Sequence, residues 1–136
     1  GYTVVKVEME KESGEYAAAR FFLDNKKILF RVSKITPTKN GQFVTIWKRN
    51  EAGVTCPFDI SDGFDFVMIC CRDEQKSGAF LFPVEVLVQK RIFSSGQGAG
   101  KRGIRVYPPW VKPESLQAAK TQAWQTVYFK YQSGFS

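Results

Sequence analysis

Cationic side chains are concentrated in two stretches of this chain. Between residues 20 and 49 there are eight basic residues and a single acid, Asp24. The eight are Arg20, Lys26, Lys27, Arg31, Lys34, Lys39, Lys48 and Arg49. The second stretch contributes Lys101, Arg102 and Arg105. Because lysine and arginine are the side chains that bind phosphate groups, this clustering indicates a polyanionic ligand.

Aromatic residues are interspersed among the basic residues of the first stretch. If residues 41–49 form a strand, Phe43, Trp47 and Arg49 lie on one face, since successive side chains of a strand point to opposite sides. By the same rule Arg31 and Ser33 share a face of the preceding segment. Interleaved arginines and rings suit a nucleic acid, because its phosphates bind cations and its unpaired bases stack on aromatic rings. The alternative is that Phe43 and Trp47 are core residues and that the arginines line an edge.

A glycine-rich segment precedes the second basic stretch. Residues 93–103 contain four glycines and two serines, which is typical of a flexible loop. A loop that ends in Lys101 and Arg102 can close over a phosphate. The alternative is a solvated loop that binds nothing.

Several kinds of chemistry are excluded by composition. The chain contains no histidine, which excludes Ser-His-Asp and Cys-His arrangements and histidine-ligated zinc. Cys56, Cys70 and Cys71 lack Cys-x-x-Cys spacing, and the adjacent pair would point to opposite faces of a strand. Asp59 and Asp62 are spaced for a metal or for a helix cap, and the cap is the commoner use. We expect no metal site, no cofactor, and three buried or half-buried thiols in a reducing compartment.

The strands that position these residues are indicated by short β-rich segments. Residues 15–23, 27–35 and 41–49 predict an antiparallel meander, with the pair at positions 40 and 41, Asn-Gly, as a hairpin signal. The apolar run at 64–71 predicts a central strand covered on both faces. Shorter strands are expected at 79–82 and 104–107.

Two helices are also expected. Pro83 opens a short helix that ends near residue 91, since proline is tolerated at a first helical position. Apolar residues in the last segment repeat at intervals of three and four, as an amphipathic helix requires. They are Leu116, Ala119, Ala123, Val127 and Tyr131. The expected fold is α+β, in one domain over residues 1–136: a mixed sheet with an N-terminal antiparallel meander, flanked by helices including a C-terminal amphipathic one.

The cellular context follows from charge and hydropathy. The formal net charge is +7, which favours anionic partners. No apolar run approaches the roughly 18 residues that a membrane-spanning helix needs, and no signal peptide is visible. We expect nucleic acid as the partner, no membrane partner, and a cytoplasmic location.

Several motifs together resemble the MepB-like family. They are FRVSKITPTK at 30–39, GQFVTIWKR at 41–49, PFDISD at 57–62, GIRVYPPW at 103–110 and KTQAWQ at 120–125. The resemblance covers nearly the whole chain. The family is named after a small bacterial protein encoded beside a multidrug efflux pump, so the resemblance implies a bacterial protein. It also implies a restriction-endonuclease-like fold, with a mixed sheet between helices and a nucleic-acid ancestry; fold alone does not assign function.

That fold group usually cleaves nucleic acid with metal-bound carboxylates and a lysine in an acid-x-Lys pattern. Residues 24–26 and 74–76 match the pattern, but both are expected in exposed turns. Lys34 is the best lysine on a strand, although Val32 stands where the acid is needed. Glu15 could supply one carboxylate, and a second is not evident. A nuclease would therefore have an unusual Mg²⁺ site with Glu15 and Lys34, and we expect instead a degenerate or absent catalytic site.

Three hypotheses follow. The first is a DNA- or RNA-binding domain, whose predicted contact residues are Arg31, Lys34, Lys39, Trp47, Lys48, Arg49, Lys101, Arg102 and Arg105. The second is the metal-dependent nuclease. The third is a small-anion or nucleotide-binding regulator in which Lys39, Lys101 and Arg105 converge on one phosphate. An elongated basic surface would favour the first hypothesis, and acids beside Lys34 the second. A closed pocket under the 93–103 loop would favour the third.

Overall fold

The chain alternates short strands with very little helix. The structure, a computed structural model, describes residues 4–9, 19–96 and 100–132. In this part of the chain the strands are β1 (Val4–Met9), β2 (Ala19–Leu23), β3 (Lys26–Val32), β4 (Lys34–Ile35), β5 (Gln42–Thr45), β6 (Trp47–Arg49), β7 (Thr55–Pro57), β8 (Phe66–Asp73), β9 (Lys76–Pro83), β10 (Gly103–Val106) and β11 (Phe129–Tyr131). The α-helices are α1 (Val84–Gln89) and α2 (Leu116–Gln125), and 3₁₀ helices cover Ile60–Asp62 and Thr126–Tyr128.

The larger sheet is mixed. Its strand order is β1-β2-β3-β8-β9-β11. β3 and β8 run parallel, whereas the other neighbouring strands are antiparallel. Parallel neighbours need a crossover connection, which is usually a helix. Here residues 33–65 form the crossover with β4, β5, β6 and β7 instead, so the connection itself supplies further β structure.

A smaller antiparallel sheet has the order β10-β5-β4. Phe43 of β5 lies between Arg105 of β10 and Lys34 of β4 in the register. β6 continues the chain from β5 and pairs with β7. The crossover and the later strand β10 therefore meet in one sheet.

The core forms between the two sheets. On the small sheet, Val44 and Val106 are fully buried, as is Ile46 between β5 and β6. They join a single cluster with Ile69 and Phe80 of the large sheet. Because side chains alternate across a strand, the neighbours of these residues lie on the opposite, outer face of the small sheet. That outer face is the one that the candidate site uses.

Both α-helices are preceded by N-cap residues that are compatible with the start of a helix. Pro83, predicted as the first residue of the helix, occupies the N-cap position of α1, so the helix begins one residue later, at Val84. Ser115 caps α2, and its Oγ accepts a hydrogen bond of 3.0 Å from the backbone N–H of Ala118, which satisfies one of the free donors of the first turn. None of the helices described is long and apolar enough to cross a membrane.

The α+β class with a mixed sheet is confirmed. An N-terminal antiparallel meander is also present, but it consists of β1, β2 and β3 and not of the three segments predicted. β2 and β3 pair as predicted, and β1 precedes them. The third predicted strand, 41–49, was wrongly assigned to this meander, because it divides into β5 and β6, which belong to other sheets. β8 occupies the free edge of β3 and buries Val67 and Ile69. Residues 15–18 of the first predicted strand lie outside the described residues.

Other predicted strands are confirmed. β8 is the predicted central strand, with β3 and β9 on either side. Its burial differs from the prediction, because one face is buried and the other is only half-buried. β10 falls at the predicted position, and the hairpin signal at 40 and 41 lies in the connection between β4 and β5. The three thiols are free, with Cys71 buried and Cys56 and Cys70 half-buried, as expected.

The predicted apolar face of the C-terminal helix is wrong. α2 ends at Gln125, and Leu116 and Val127 are each 74% exposed. The buried residues of α2 are Ala118 and Gln125. The predicted apolar stripe is not buried because the helix is attached to the sheet largely by hydrogen bonds of its polar side chains.

Gln125 makes that attachment. One edge of β10 pairs with β5, and Gln125, which is 1% exposed, bonds to the other edge. Its Oε1 accepts a hydrogen bond of 2.8 Å from the N–H of Tyr107, and its Nε2 donates one of 3.1 Å to the carbonyl of Arg105. The amide thus satisfies two backbone groups that a neighbouring strand would otherwise have to satisfy.

We expect Gln125→Met to reduce the free energy of unfolding by about 2–4 kcal/mol, because it keeps the side-chain volume but leaves a backbone donor and acceptor unsatisfied. Gln117→Met, on the exposed side of the same helix, should change it by less than about 0.5 kcal/mol. Urea denaturation of both variants measures the difference. Equal stabilities would show that Gln125 does not hold α2 to β10.

Candidate functional site

A groove of about 550 Å³ lies between the outer face of the small sheet and α2. We call it the basic groove. Its described lining includes four cationic side chains and no carboxylate. The cations are Lys39, Lys90, Lys101 and Arg105, and the aromatic residues of the lining are Phe43, Tyr107 and Trp124.

The four cations come from separate parts of the chain. Lys39 lies in the connection between β4 and β5, Lys90 follows α1, Lys101 precedes β10, and Arg105 lies on β10. Among the described residues none of them has a carboxylate partner. Like charges gathered in a cleft without counterions create a positive potential that attracts anions.

Arg105 is held in place without being neutralised. Its Nη1 donates hydrogen bonds to Thr36 Oγ1 at 3.0 Å and to the carbonyl of Asn40 at 3.2 Å. Its Cζ lies 5.9 Å from the centre of the Phe43 ring. Both hydrogen-bond acceptors are neutral, so these bonds position the guanidinium without supplying a negative charge to offset it.

The turn that carries Lys39 is fixed against β10. Gly41 has φ +79°, and a Cβ there would lie 2.8 Å from the Tyr107 ring and 2.9 Å from the Val106 carbonyl. Only glycine combines this conformation with so close an approach. Asn40 Nδ2 also donates a hydrogen bond of 2.7 Å to the Lys112 carbonyl. The turn is therefore clamped from two sides beside the groove.

Lys90 and Trp124 meet at the other end of the groove. The Nζ of Lys90 lies 5.2 Å from the centre of the Trp124 ring, within the range of a cation–π interaction. The same ring lies 5.4 Å from that of Phe82 in the core. Trp124 is consequently both a packing residue and part of the groove wall.

Lys101 is positioned by the ends of the glycine-rich segment. Its backbone N–H donates to the Ile92 carbonyl at 2.9 Å. Asp59 holds the beginning of the segment, because its Oδ1 accepts hydrogen bonds from Ser94 Oγ at 2.5 Å and from the Gly96 N–H at 2.7 Å. Residues 97–99, in the middle of the predicted flexible loop, lie outside the described residues.

The groove continues past Lys39. A hollow of about 160 Å³ has Lys39, Arg105 and Glu114 in its lining. Another of about 370 Å³ is lined by residues 35–42 and 110–112 together with one carboxylate, Asp73. Lys39 borders all three depressions. The concave surface therefore runs from the end of α1 to the segment after β10, well beyond the size of one phosphate group.

The question left open for Phe43 and Trp47 is answered by burial. Their neighbours Val44 and Ile46 are fully buried, whereas Phe43, Thr45 and Trp47 are half-buried. Phe43 and Trp47 therefore lie on the outer side of their strands. Phe43 lines the basic groove, and Trp47 lies outside its described lining.

Arg31 is in the interior. It is 0% exposed, its Nε donates to the Thr45 carbonyl at 3.1 Å, and its Nη1 donates to the Phe30 carbonyl at 2.9 Å. Its Cζ also lies 5.6 Å from the ring of Phe58. A buried guanidinium bonded to carbonyls cannot reach a phosphate on the surface, so Arg31 belongs to the structural residues.

Three more predicted cations are engaged near the β6–β7 hairpin. Lys48 Nζ forms an ion pair of 2.6 Å with Asp62. Arg49 donates from Nη1 to the Gly53 carbonyl at 2.9 Å, and Arg102 donates from Nη2 to the Thr55 carbonyl at 3.2 Å. Arg49 also lies over Trp47, with its Cζ 5.5 Å from the ring. These residues lie apart from the described lining of the basic groove.

The residues considered for catalysis do not form a described metal centre. Lys34 is half-buried on β4, and Glu15 lies outside the described residues. Asp59 and Asp62 form a capping box on the 3₁₀ helix Ile60–Asp62. Within the part of the chain that the structure describes, no group of three or more His, Cys, Asp or Glu residues could hold a metal ion. Burial raises the pKa of the Cys71 thiol to about 12, which keeps it protonated and a poor metal ligand.

Lys90 and Tyr107 line the groove but were not indicated by the sequence patterns. Lys90 follows a six-residue helix, where a lysine is favourable for the helix itself. Tyr107 precedes two prolines and therefore reads as the end of a strand. Only the tertiary arrangement brings them beside Lys39 and Arg105.

The acid sensitivity of the loop anchor can be tested. Hydrogen bonds from Ser94, from Ser61 and from the Gly96 N–H hold the pKa of Asp59 well below its ordinary value of 3.8. A lowered pKa in the folded state contributes stability above pH 3.8 that is lost as the pH falls below it. Asp59→Asn keeps a capping oxygen but cannot ionise. Its free energy of unfolding should therefore decline less steeply than that of the wild type below about pH 4. Parallel curves in acid denaturation would contradict this expectation.

Comparison with known proteins agrees with the sequence motifs. The family model described as MepB-like matches residues 10–131. A solved structure, described as the crystal structure of MepB, is similar with a TM-score of 0.92 and 37% sequence identity, over 97% of this chain and 89% of that chain. No curated protein sequence matches. Because the family model spans most of its length, the chain belongs to the MepB-like family.

Proposed function

We propose that this protein binds nucleic acid along the basic groove. The observation that carries the proposal is the gathering of Lys39, Lys90, Lys101 and Arg105 in one concave surface whose described lining has no carboxylate. Phosphate contacts by lysine and arginine supply most of the affinity of nonspecific nucleic-acid binding. These cations come from separate parts of the chain and have no carboxylate partner among the described residues, so they can provide such contacts.

The size of the concave surface favours a polymer over a single small anion. The basic groove alone has about 550 Å³, and Lys39 connects it to the hollow beside Lys112. A regulator that senses one phosphate would instead surround it with Lys39, Lys101 and Arg105 in a closed pocket. An open groove that continues past Lys39 is better suited to several successive phosphates than to one.

We propose binding without cleavage. The groove supplies cations for phosphate, and its described lining has no carboxylate to hold Mg²⁺. The mixed sheet with its parallel β3–β8 pair is compatible with the restriction-endonuclease-like group that the motifs imply, and the binding proposal does not depend on that assignment. We also propose a cytoplasmic location in a bacterium, where nucleic acid and reduced thiols such as those of Cys56, Cys70 and Cys71 coexist.

The test is oligonucleotide binding across a salt series. The variant Lys39→Gln/Lys90→Gln/Lys101→Gln removes three groove charges, all on exposed side chains. For a single strand, each lost phosphate contact should reduce the magnitude of the slope of log affinity against log salt by about 0.7. The slope of the triple variant should therefore be smaller in magnitude by roughly 2. Fluorescence anisotropy with a labelled oligonucleotide measures both affinity and slope.

A matched control separates the groove from net charge. Lys26→Gln/Lys76→Gln/Lys130→Gln removes the same charge from exposed lysines outside the described groove lining. This control should bind within about threefold of the wild type, with a similar salt slope. If both triple variants lose affinity equally, the groove is not the site. If the wild type does not bind even at low salt, the proposed function is wrong.

A further inference from the structure

Two aromatic rings line the basic groove from different walls, and each has a cation beside it. Phe43 belongs to the small sheet and lies near the guanidinium of Arg105. Trp124 belongs to α2 and lies near the ammonium group of Lys90. Rings and cations are therefore paired on both sides of the same cleft.

The core does not account for the position of Phe43. Its strand neighbour Val44 points to the core and is fully buried, whereas Phe43 is half-buried and faces the groove. The ring lies against Gly103 of β10, where a Cβ would be 2.6 Å from the Phe43 Cζ. Glycine at this position lets the ring lie close to the backbone of the neighbouring strand. The result is a firmly seated aromatic surface that is still open to the groove.

We propose that the basic groove receives unpaired nucleotides, so that the preferred ligand is single-stranded rather than duplex nucleic acid. This inference rests on the proposed function and specifies its ligand. Bases contact the rings of Phe43 and Trp124, and phosphates contact Lys39 and Lys101. Arg105 extends the surface at Phe43, because bases also stack on guanidinium planes.

The physical basis is the difference in what the two ligands expose. A duplex keeps its bases stacked on one another and offers mainly phosphates to a basic surface. A single strand offers the faces of its bases as well, and stacking on aromatic side chains is tolerant of sequence. Rings placed between cations in a concave wall therefore add affinity only for the single strand.

The first measurement compares the wild-type protein with a single-stranded oligonucleotide and with the duplex of the same sequence, at equal phosphate concentration. We expect the single strand to bind at least about tenfold more tightly, as one stacked base would provide. Equal affinity, or tighter binding of the duplex, would overturn the inference. This comparison needs no variant and cannot be confused with a folding defect.

The second measurement removes the ring. Phe43→Leu keeps an apolar side chain and should weaken single-strand binding by about 5- to 100-fold, with less than about a twofold change for the duplex. Phe43→Trp should restore single-strand binding, since it supplies a ring again. Tyr131→Leu, at a tyrosine that is 58% exposed on β11, is the matched control and should leave both affinities unchanged.

The outcomes separate the two proposals. If Phe43→Leu weakens the binding of single strand and duplex equally, or leaves both affinities unchanged, the ring takes no part in selecting unpaired bases. In that case Lys39→Gln/Lys90→Gln/Lys101→Gln can still reduce the salt slope, and the proposed function stands. If no oligonucleotide binds the wild type, both proposals fail together.

Discussion

The hydrogen bonds of Gln125 to the free edge of β10 decide where this fold has a groove. An unpaired strand edge attracts another strand, and a second strand paired with β10 would have occupied the backbone groups of Arg105 and Tyr107 to which Gln125 bonds. The amide bonds instead to the N–H of Tyr107 and the carbonyl of Arg105, and Gln122 Nε2 donates to the carbonyls of Pro108 and Val111. A helix attached in this way lies beside the sheet without closing over it, so a cleft separates the two.

The other half of the groove depends on the parallel pairing of β3 with β8. Parallel neighbours cannot be joined by a tight turn, so residues 33–65 must travel from one end of the large sheet to the other. This crossover is itself β structure, and its strand β5 buries Val44 against the large sheet, with Ile46, the residue after β5, in the same core cluster. The same strand then has to present Phe43 and Thr45 on its outer side. The core of the protein thereby fixes the wall of the site.

Sequence patterns predicted the class of fold and singled out three of the cations that line the basic groove, for identifiable reasons. Lys39, Lys101 and Arg105 lie in turns and at a strand, where charge signals exposure, and all three line the basic groove. Arg31 could not be placed, because alternation shows that it shares a face with Ser33 but not which face is buried. Its carbonyl acceptors, at Thr45 and Phe30, exist only in the folded chain. The burial of Gln125 could not be predicted for a related reason, since a glutamine on a helix is expected to face solvent.

The distribution of acids completes the argument for an anion-binding surface. Asp62 pairs with Lys48 and accepts a hydrogen bond from the backbone N–H of Asp59 at 2.8 Å, while Asp59 itself binds Ser94 and Gly96. These carboxylates are committed to holding the loop and the β6–β7 hairpin, at a distance from the described groove lining. A net charge of +7 spread evenly would give only weak attraction. With Asp59 and Asp62 engaged outside the groove lining and four cations collected in one cleft, positive charge is concentrated at the basic groove. A concentrated positive potential of this kind is what the proposed binding of a polyanion requires.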